Sequence, residues 1–218
     1  MAHFIYILEI IGTVAFAFSG AMTAIKKELD LFGVLILAVI TAVGGGAIRD
    51  ILLGCTPPKM FLSPSYVIVA AIVSILLFIW IYSRHGQVEG VSVARVEKVM
   101  LYADTIGLAV FTVLGVKAAF ETQTEDNLFL AVFVGVVTGV GGGVFRDMLV
   151  GLKPYIFVKH VYALSSVVGA VLCAFLWMTD RGEVGLLAGA IVIIVMRLLA
   201  IHFEWNLPKI KFDQPPKI

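Results

Sequence analysis

The chain has 218 residues, 61% of them apolar and 14% charged, with a formal net charge of +1. Soluble domains are about 45–50% apolar and about 25% charged, and a mean hydropathy of +1.04 leaves more apolar surface than one core of this size can hide from water. Lipid is the expected solvent, and the near-zero net charge argues against a nucleic-acid partner.

A membrane-crossing helix needs about 20 mostly apolar residues. Seven such segments occur in order, at 4–25, 31–53, 63–83, 99–119, 128–150, 160–179 and 183–203. The first lacks a basic leader, carries Glu9 early and recurs later in the chain, so it reads as a retained helix rather than a signal peptide. Lys26, Lys27, Arg84, Arg95, Lys98, Lys153, Lys159, Lys209, Lys211 and Lys217 fall on the side of the C-terminus, while the other side has mainly Lys59 and Arg181. Basic flanks stay in the cytoplasm, which places the C-terminus inside and the N-terminus outside.

Self-comparison reveals a repeat. Residues 41–57 (TAVGGGAIRDILLGCTP) match 138–154 (TGVGGGVFRDMLVGLKP) at 10 of 17 positions with a constant spacing of 97. Upstream, Glu9, Gly12, Phe16 and Gly20 match Asp104, Gly107, Phe111 and Gly115 at a spacing of 95. Each unit holds three spans. Three is odd, so the second copy enters the membrane from the opposite side, the inverted-repeat plan. The expected fold is therefore an all-α membrane protein of seven transmembrane helices: a first repeat over 1–83, a cytoplasmic linker over 84–98, a second repeat over 99–179, a seventh helix over 180–205 and a cytoplasmic tail over 206–218.

Three consecutive glycines weaken a helix by about 1 kcal/mol each relative to alanine. Gly44, Gly45 and Gly46, with Gly141, Gly142 and Gly143, are therefore expected breaks in spans two and five that face a protein-lined path. The competing reading is close helix packing through small residues. Arg49, Asp50, Arg146 and Asp147 follow the triplets, and each such charge costs at least about 2.5–3.5 kcal/mol at the bilayer centre unless it faces inward and is paired. Adjacent residues on a helix point apart, so each arginine is expected to find its partner on another helix. Depth along the spans predicts Glu9–Arg49 and Asp104–Arg146 pairs. These either lock the repeats together or set the charge of an ion path. Arg197 and Lys117 are expected to snorkel to the interface.

No phosphate-binding loop, nucleophile elbow, zinc-protease motif or potassium-filter sequence occurs. Cys55 and Cys173 have no ligand spacing, and the four histidines are scattered, so neither a cofactor nor a resident metal is expected. Three classes survive: a passive ion channel, a secondary transporter of glycine or another small zwitterion, and a structural membrane protein.

At Gly44-Gly45-Gly46-Ala47-Ile48-Arg49-Asp50 and Gly141-Gly142-Gly143-Val144-Phe145-Arg146-Asp147, each followed by Gly and Pro (Gly54, Pro57; Gly151, Pro154), the sequence resembles the prokaryotic branch of the trimeric intracellular cation (TRIC) channels. That branch also carries a glycine transporter label. The resemblance covers about residues 4–205. It implies a homotrimer with one pore per protomer, between kinked second and fifth spans at the triplets, conducting potassium above all and sodium as well. Thr41 and Thr138, one turn before the triplets, would add oxygens around the ion. Membrane lipids are the remaining partner.

Overall fold

The computed structural model describes residues 2–83, 93–122, 127–158 and 161–205. Most of the predicted linker and the whole tail over 206–218 lie outside these residues. The described chain forms nine helices and no strand: α1 (Ala2–Lys26), α2 (Leu31–Leu52), α3 (Lys59–Leu62), α4 (Ser65–Ser83), α5 (Val93–Thr122), α6 (Leu128–Leu149), α7 (Tyr155–Val158), α8 (Tyr162–Met178) and α9 (Gly182–His202). Six of them, α1, α2, α4, α5, α6 and α9, are long and apolar enough to cross a membrane, and α8 is a shorter apolar helix of 17 residues. The protein is thus an all-helical, multi-pass membrane protein. Helix α5 begins at Val93, inside the segment expected to be linker, and the four-residue α3 and α7 are too short to show in a hydropathy pattern.

Helices α2 and α6 start and stop on the same devices. The Asp30 side chain accepts from Gly33 N at 2.7 Å, and the Asn127 side chain accepts from Leu130 N at 2.9 Å. Each fills an orphan amide of a first turn. Just past the ends, Gly54 at φ +72° and Gly151 at φ +69° take the left-handed conformation that turns the chain out of a helix and that glycine adopts without strain.

One group of helices, α1, α2 and α4, packs around Phe16, Val34, Leu37 and Phe111 of α5. A second, α5, α6, α8 and α9, packs around Leu108, Val113, Val134 and Ile193. The groups meet along α2–α6 and α1–α5. Helix α5 is the most buried span and α4 the least. Large apolar side chains on the outer surface, such as Phe32, Phe129 and Ile191, face where lipid is expected.

The α1–α5 contact is antiparallel. A Cβ on Gly12 would lie 3.0 Å from Val110, and one on Gly107 would lie 2.1 Å from the Phe16 ring. Residues early on α1 therefore share a level with residues late on α5.

Candidate functional site

The glycine triplets lie where α2 crosses α6. Both helices run unbroken through them, which corrects the expected breaks. A Cβ on Gly45 would lie 2.1 Å from the Thr138 carbonyl oxygen, and one on Gly142 would lie 2.1 Å from the Thr41 carbonyl oxygen. Gly44 abuts the Phe145 ring and Gly141 abuts Ile48 in the same reciprocal manner. The helices keep their own hydrogen bonds and use the missing side chains to bring two backbones together, the close-packing alternative.

Thr41 and Thr138 are fully buried at neighbouring crossings, against Gly20 and Gly115. Their hydroxyls donate to the Leu37 and Val134 carbonyls, each at 2.6 Å. Neither threonine lines the cavity described next.

On one side of the crossing lies a cavity of about 50 Å³, bordered by Glu9, Gly46, Arg49, Asp50, Lys59 and Tyr66. By its volume it has room for about three waters. Arg49 donates from Nε to Asp50 Oδ1 at 2.9 Å, with Nη2 at 2.8 Å from the same oxygen. Asp50 Oδ2 accepts from Lys59 N at 2.8 Å, tying the end of α2 to α3. Glu9 accepts a short hydrogen bond from the Tyr66 hydroxyl. The expected Glu9–Arg49 pair is corrected: both residues border one cavity, but each is held by another partner. The expectation that Arg49 and Asp50 point apart also fails, because the arginine side chain is long enough to curl back onto its neighbour.

On the other side of the crossing the counterpart cluster is shut. Arg146 Nη1 lies 2.5 Å from Asp104 Oδ1 and 2.6 Å from Ser19 Oγ. Its Nε donates to Asp147 Oδ1 at 2.8 Å, and its guanidinium carbon sits 4.9 Å from the centre of the Tyr155 ring. Asp147 Oδ2 accepts from Tyr155 N at 2.9 Å, tying α6 to α7 as Asp50 ties α2 to α3. Asp104, Arg146 and Asp147 are at most 1% exposed. Glu9 and Ser19, ten residues apart on α1, set the two clusters about 15 Å apart along the helix axis.

Arg197 does not snorkel. It is fully buried, with its guanidinium carbon 4.8 Å from the centre of the Tyr162 ring. Lys117 is also largely covered and pairs with Glu121. No group of three or more metal-ligating side chains occurs among the described residues. Ser19, Tyr66, Tyr155 and Tyr162 were not singled out by sequence reasoning, and Arg197 was singled out for the interface instead of the interior. Tyr66 and Tyr162 stand 96 residues apart, between the two spacings of the repeat, and that register was the signal available for them.

Comparison with known proteins explains the doubled architecture. A family model described as "Glycine transporter" matches residues 6–82 and again 101–178. The UPF0126 inner membrane protein YadS of Escherichia coli K12 is 37% identical over 213 residues, covering 96% of this chain and 98% of its own. The UPF0126 membrane protein YvgT of Bacillus subtilis is 33% identical, covering 94% and 96%. A chain solved in work on the structural basis for conductance through TRIC cation channels superposes with a TM-score of 0.82 at 37% identity, covering 96% of this chain and 98% of that one. A prokaryotic TRIC channel crystallised in 0.5 M KCl gives a TM-score of 0.84 at 30% identity, covering 95% and 100%. The TRIC trimeric intracellular cation channel orthologue of Rhodobacter sphaeroides gives 0.82 at 29%, covering 92% and 98%.

The chain belongs to the TRIC family. Within this TRIC protein the glycine crossing and the two arginine clusters all fall inside the matched segments, and Arg197 of α9 lies beyond the second of them.

Proposed function

We propose that this TRIC protein is a passive channel for monovalent cations, potassium and sodium, with a pore in each protomer of a homotrimer. The observation that carries the reading is the reciprocal approach of Gly45 to Thr138 and of Gly142 to Thr41, with an arginine–carboxylate cluster on either side. The pore runs along α2 and α6 through that crossing, which is closed in this conformation. Separation of the two helices there bares the Thr41 and Thr138 oxygens, and such oxygens replace water around a cation. Arg49 and Arg146 would repel cations from the path, but both are neutralised by carboxylates.

We read the chain as seven spans, with α8 as the sixth, and with 1–83 and 99–179 as inverted repeats. The reciprocal contacts at the crossing and the antiparallel α1–α5 contact support that topology. The Lys26–Glu97 ion pair at 2.9 Å supports a common side for the end of α1 and the start of α5. The distribution of basic residues supports an outside N-terminus.

The test is flux in proteoliposomes of the purified protein, loaded with potassium under an imposed potential, with labelled glycine offered to the same preparation. A fast cation leak, without saturable glycine uptake and reduced by bulky substitution at Gly45 or Gly142, is the expected result. Saturable, gradient-coupled glycine uptake with no leak contradicts it and favours a transporter.

A further inference from the structure

The two clusters differ at one matched position. Gly46 and Gly143 correspond at the 97-residue spacing, and a Cβ on either would lie 3.8 Å from Nη2 of the arginine three residues on. Beside Gly46 that is the only neighbour within 4 Å among the described residues outside the local helix backbone, and the cavity opens there. Beside Gly143 the space is filled: Tyr162 Oη would lie 3.2 Å and Asp104 Oδ1 3.6 Å from the added carbon. Arg146 Nη2 and Tyr162 Oη both approach this point, and they and Asp104 Oδ2 are buried and, among the described residues, without a hydrogen-bond partner of normal geometry. A polar lining of this kind suits water better than it suits a dry contact.

Tyr162 is held there from outside the repeat. Arg197 projects from α9, and its guanidinium covers the tyrosine ring, an attraction that strengthens when the pair is out of water. It also brings a second positive charge to a cluster in which Asp104 and Asp147 share Arg146. Backbone preference does not place Tyr162. The preceding residue, Val161, stands at φ +53°, a conformation that is unfavourable for a β-branched side chain. Contacts within the fold, the Arg197–Tyr162 stacking among them, therefore hold the first turn of α8. In the first repeat, Tyr66 is tied instead by its hydroxyl to Glu9, and Gly46 stays uncovered.

We infer that Arg197 is a positioning residue that holds Tyr162 against Gly143 and so closes the Arg146 end of the cation path. The inference rests on the channel reading above. Opening requires Tyr162 to leave Gly143, which admits water to Asp104 and Arg146. Helix α9 then does more than pack against the repeats: it biases one end of the path shut while the other stays open.

The test compares native protein, Arg197→Met and Arg197→Lys in planar bilayers. Arg197→Met keeps length and loses charge, and it is expected to raise open probability about fivefold while leaving the unitary conductance unchanged. Arg197→Lys keeps a cation over the ring and returns toward native behaviour. An unchanged or lower open probability in folded Arg197→Met overturns the inference. Tyr162→Leu, which removes the plug and leaves Arg197, gives the same gain and serves if Arg197→Met does not fold.

A second readout does not depend on current. Ser19 is fully buried and hydrogen-bonded to Arg146. Ser19→Cys, in a background with Cys55→Ser and Cys173→Ser, is expected to react with a membrane-impermeant thiol reagent about tenfold faster when Arg197→Met is added. Equal rates overturn the positioning role. Faster labelling in a protein that passes no cation current would instead contradict the channel reading and leave the positioning role standing.

Discussion

Arg146 Nη1 and Asp104 Oδ1 meet at 2.5 Å, 42 positions apart in the chain and with both side chains closed to solvent. Helix α5 thereby grips α6 through a charge pair that neither helix tolerates alone in an apolar surround.

Removing one partner of that pair leaves a buried charge. Asp104→Asn is expected to destabilise the protein by about 3–5 kcal/mol, read as a lower unfolding temperature in detergent. Asp104→Leu combined with Arg146→Met is expected to lose less than the sum of the single substitutions, because no charge is then stranded between Asp104 and its partner.

The glycines of one triplet should behave differently. Gly45→Ala drives a methyl into the Thr138 carbonyl and is expected to cost about 1–3 kcal/mol. Gly46→Ala meets only Arg49 Nη2 at 3.8 Å, so it is expected to be neutral or to stabilise α2 by up to about 1 kcal/mol. The same methyl narrows the cavity, so Gly46→Ala should lower unitary conductance in a fully stable protein. Unfolding curves and single-channel amplitudes separate the two effects.

Glu9 gives the open cluster its second carboxylate. Glu9→Gln is expected to lower potassium conductance roughly twofold at about 0.01 M salt and to have little effect at about 1 M, where the screening length falls from about 30 Å to about 3 Å. Conductance measured across that range tests the point. A deficit that persists at high salt would mean the residue acts by shape instead of by charge.

Asp50 and Asp147 each join an arginine to the backbone of the following short helix. Alanine at either position is expected to cost about 1.5–3 kcal/mol for each charge-assisted hydrogen bond lost. Amide exchange should rise at Lys59 N for Asp50→Ala and at Tyr155 N for Asp147→Ala. Unchanged exchange would show that the loops hold without the carboxylates.

Depth was legible in the sequence; direction around a helix was not. The position of Asp104 along one span and Arg146 along the next fixes their level, and they meet. The same reasoning put Glu9 and Arg49 at one level, where they border a single cavity. It did not reveal that Tyr66, from a helix with no charge to mark it, takes the Glu9 carboxylate. Arg197 shows the limit again. Its nearness to the end of a span suggested the interface, but its side of α9 faces Tyr162 and the bundle interior. The glycine triplets were ambiguous for a related reason. A break and a close crossing both require three missing side chains, and only the location of the opposing Thr41 and Thr138 carbonyls distinguishes them. Helices α3 and α7 form on four residues each, below any periodic signal.

The central claim is that cations cross this protein passively. The most direct measurement is the reversal potential of single openings in a planar bilayer under a tenfold potassium chloride gradient. The account predicts discrete openings that reverse near the potassium equilibrium potential, about 59 mV from zero for a monovalent ion, and that grow rarer when Gly45 or Gly142 is made bulky. Reversal on the chloride side of zero, or no openings from protein that is folded and inserted, would contradict it.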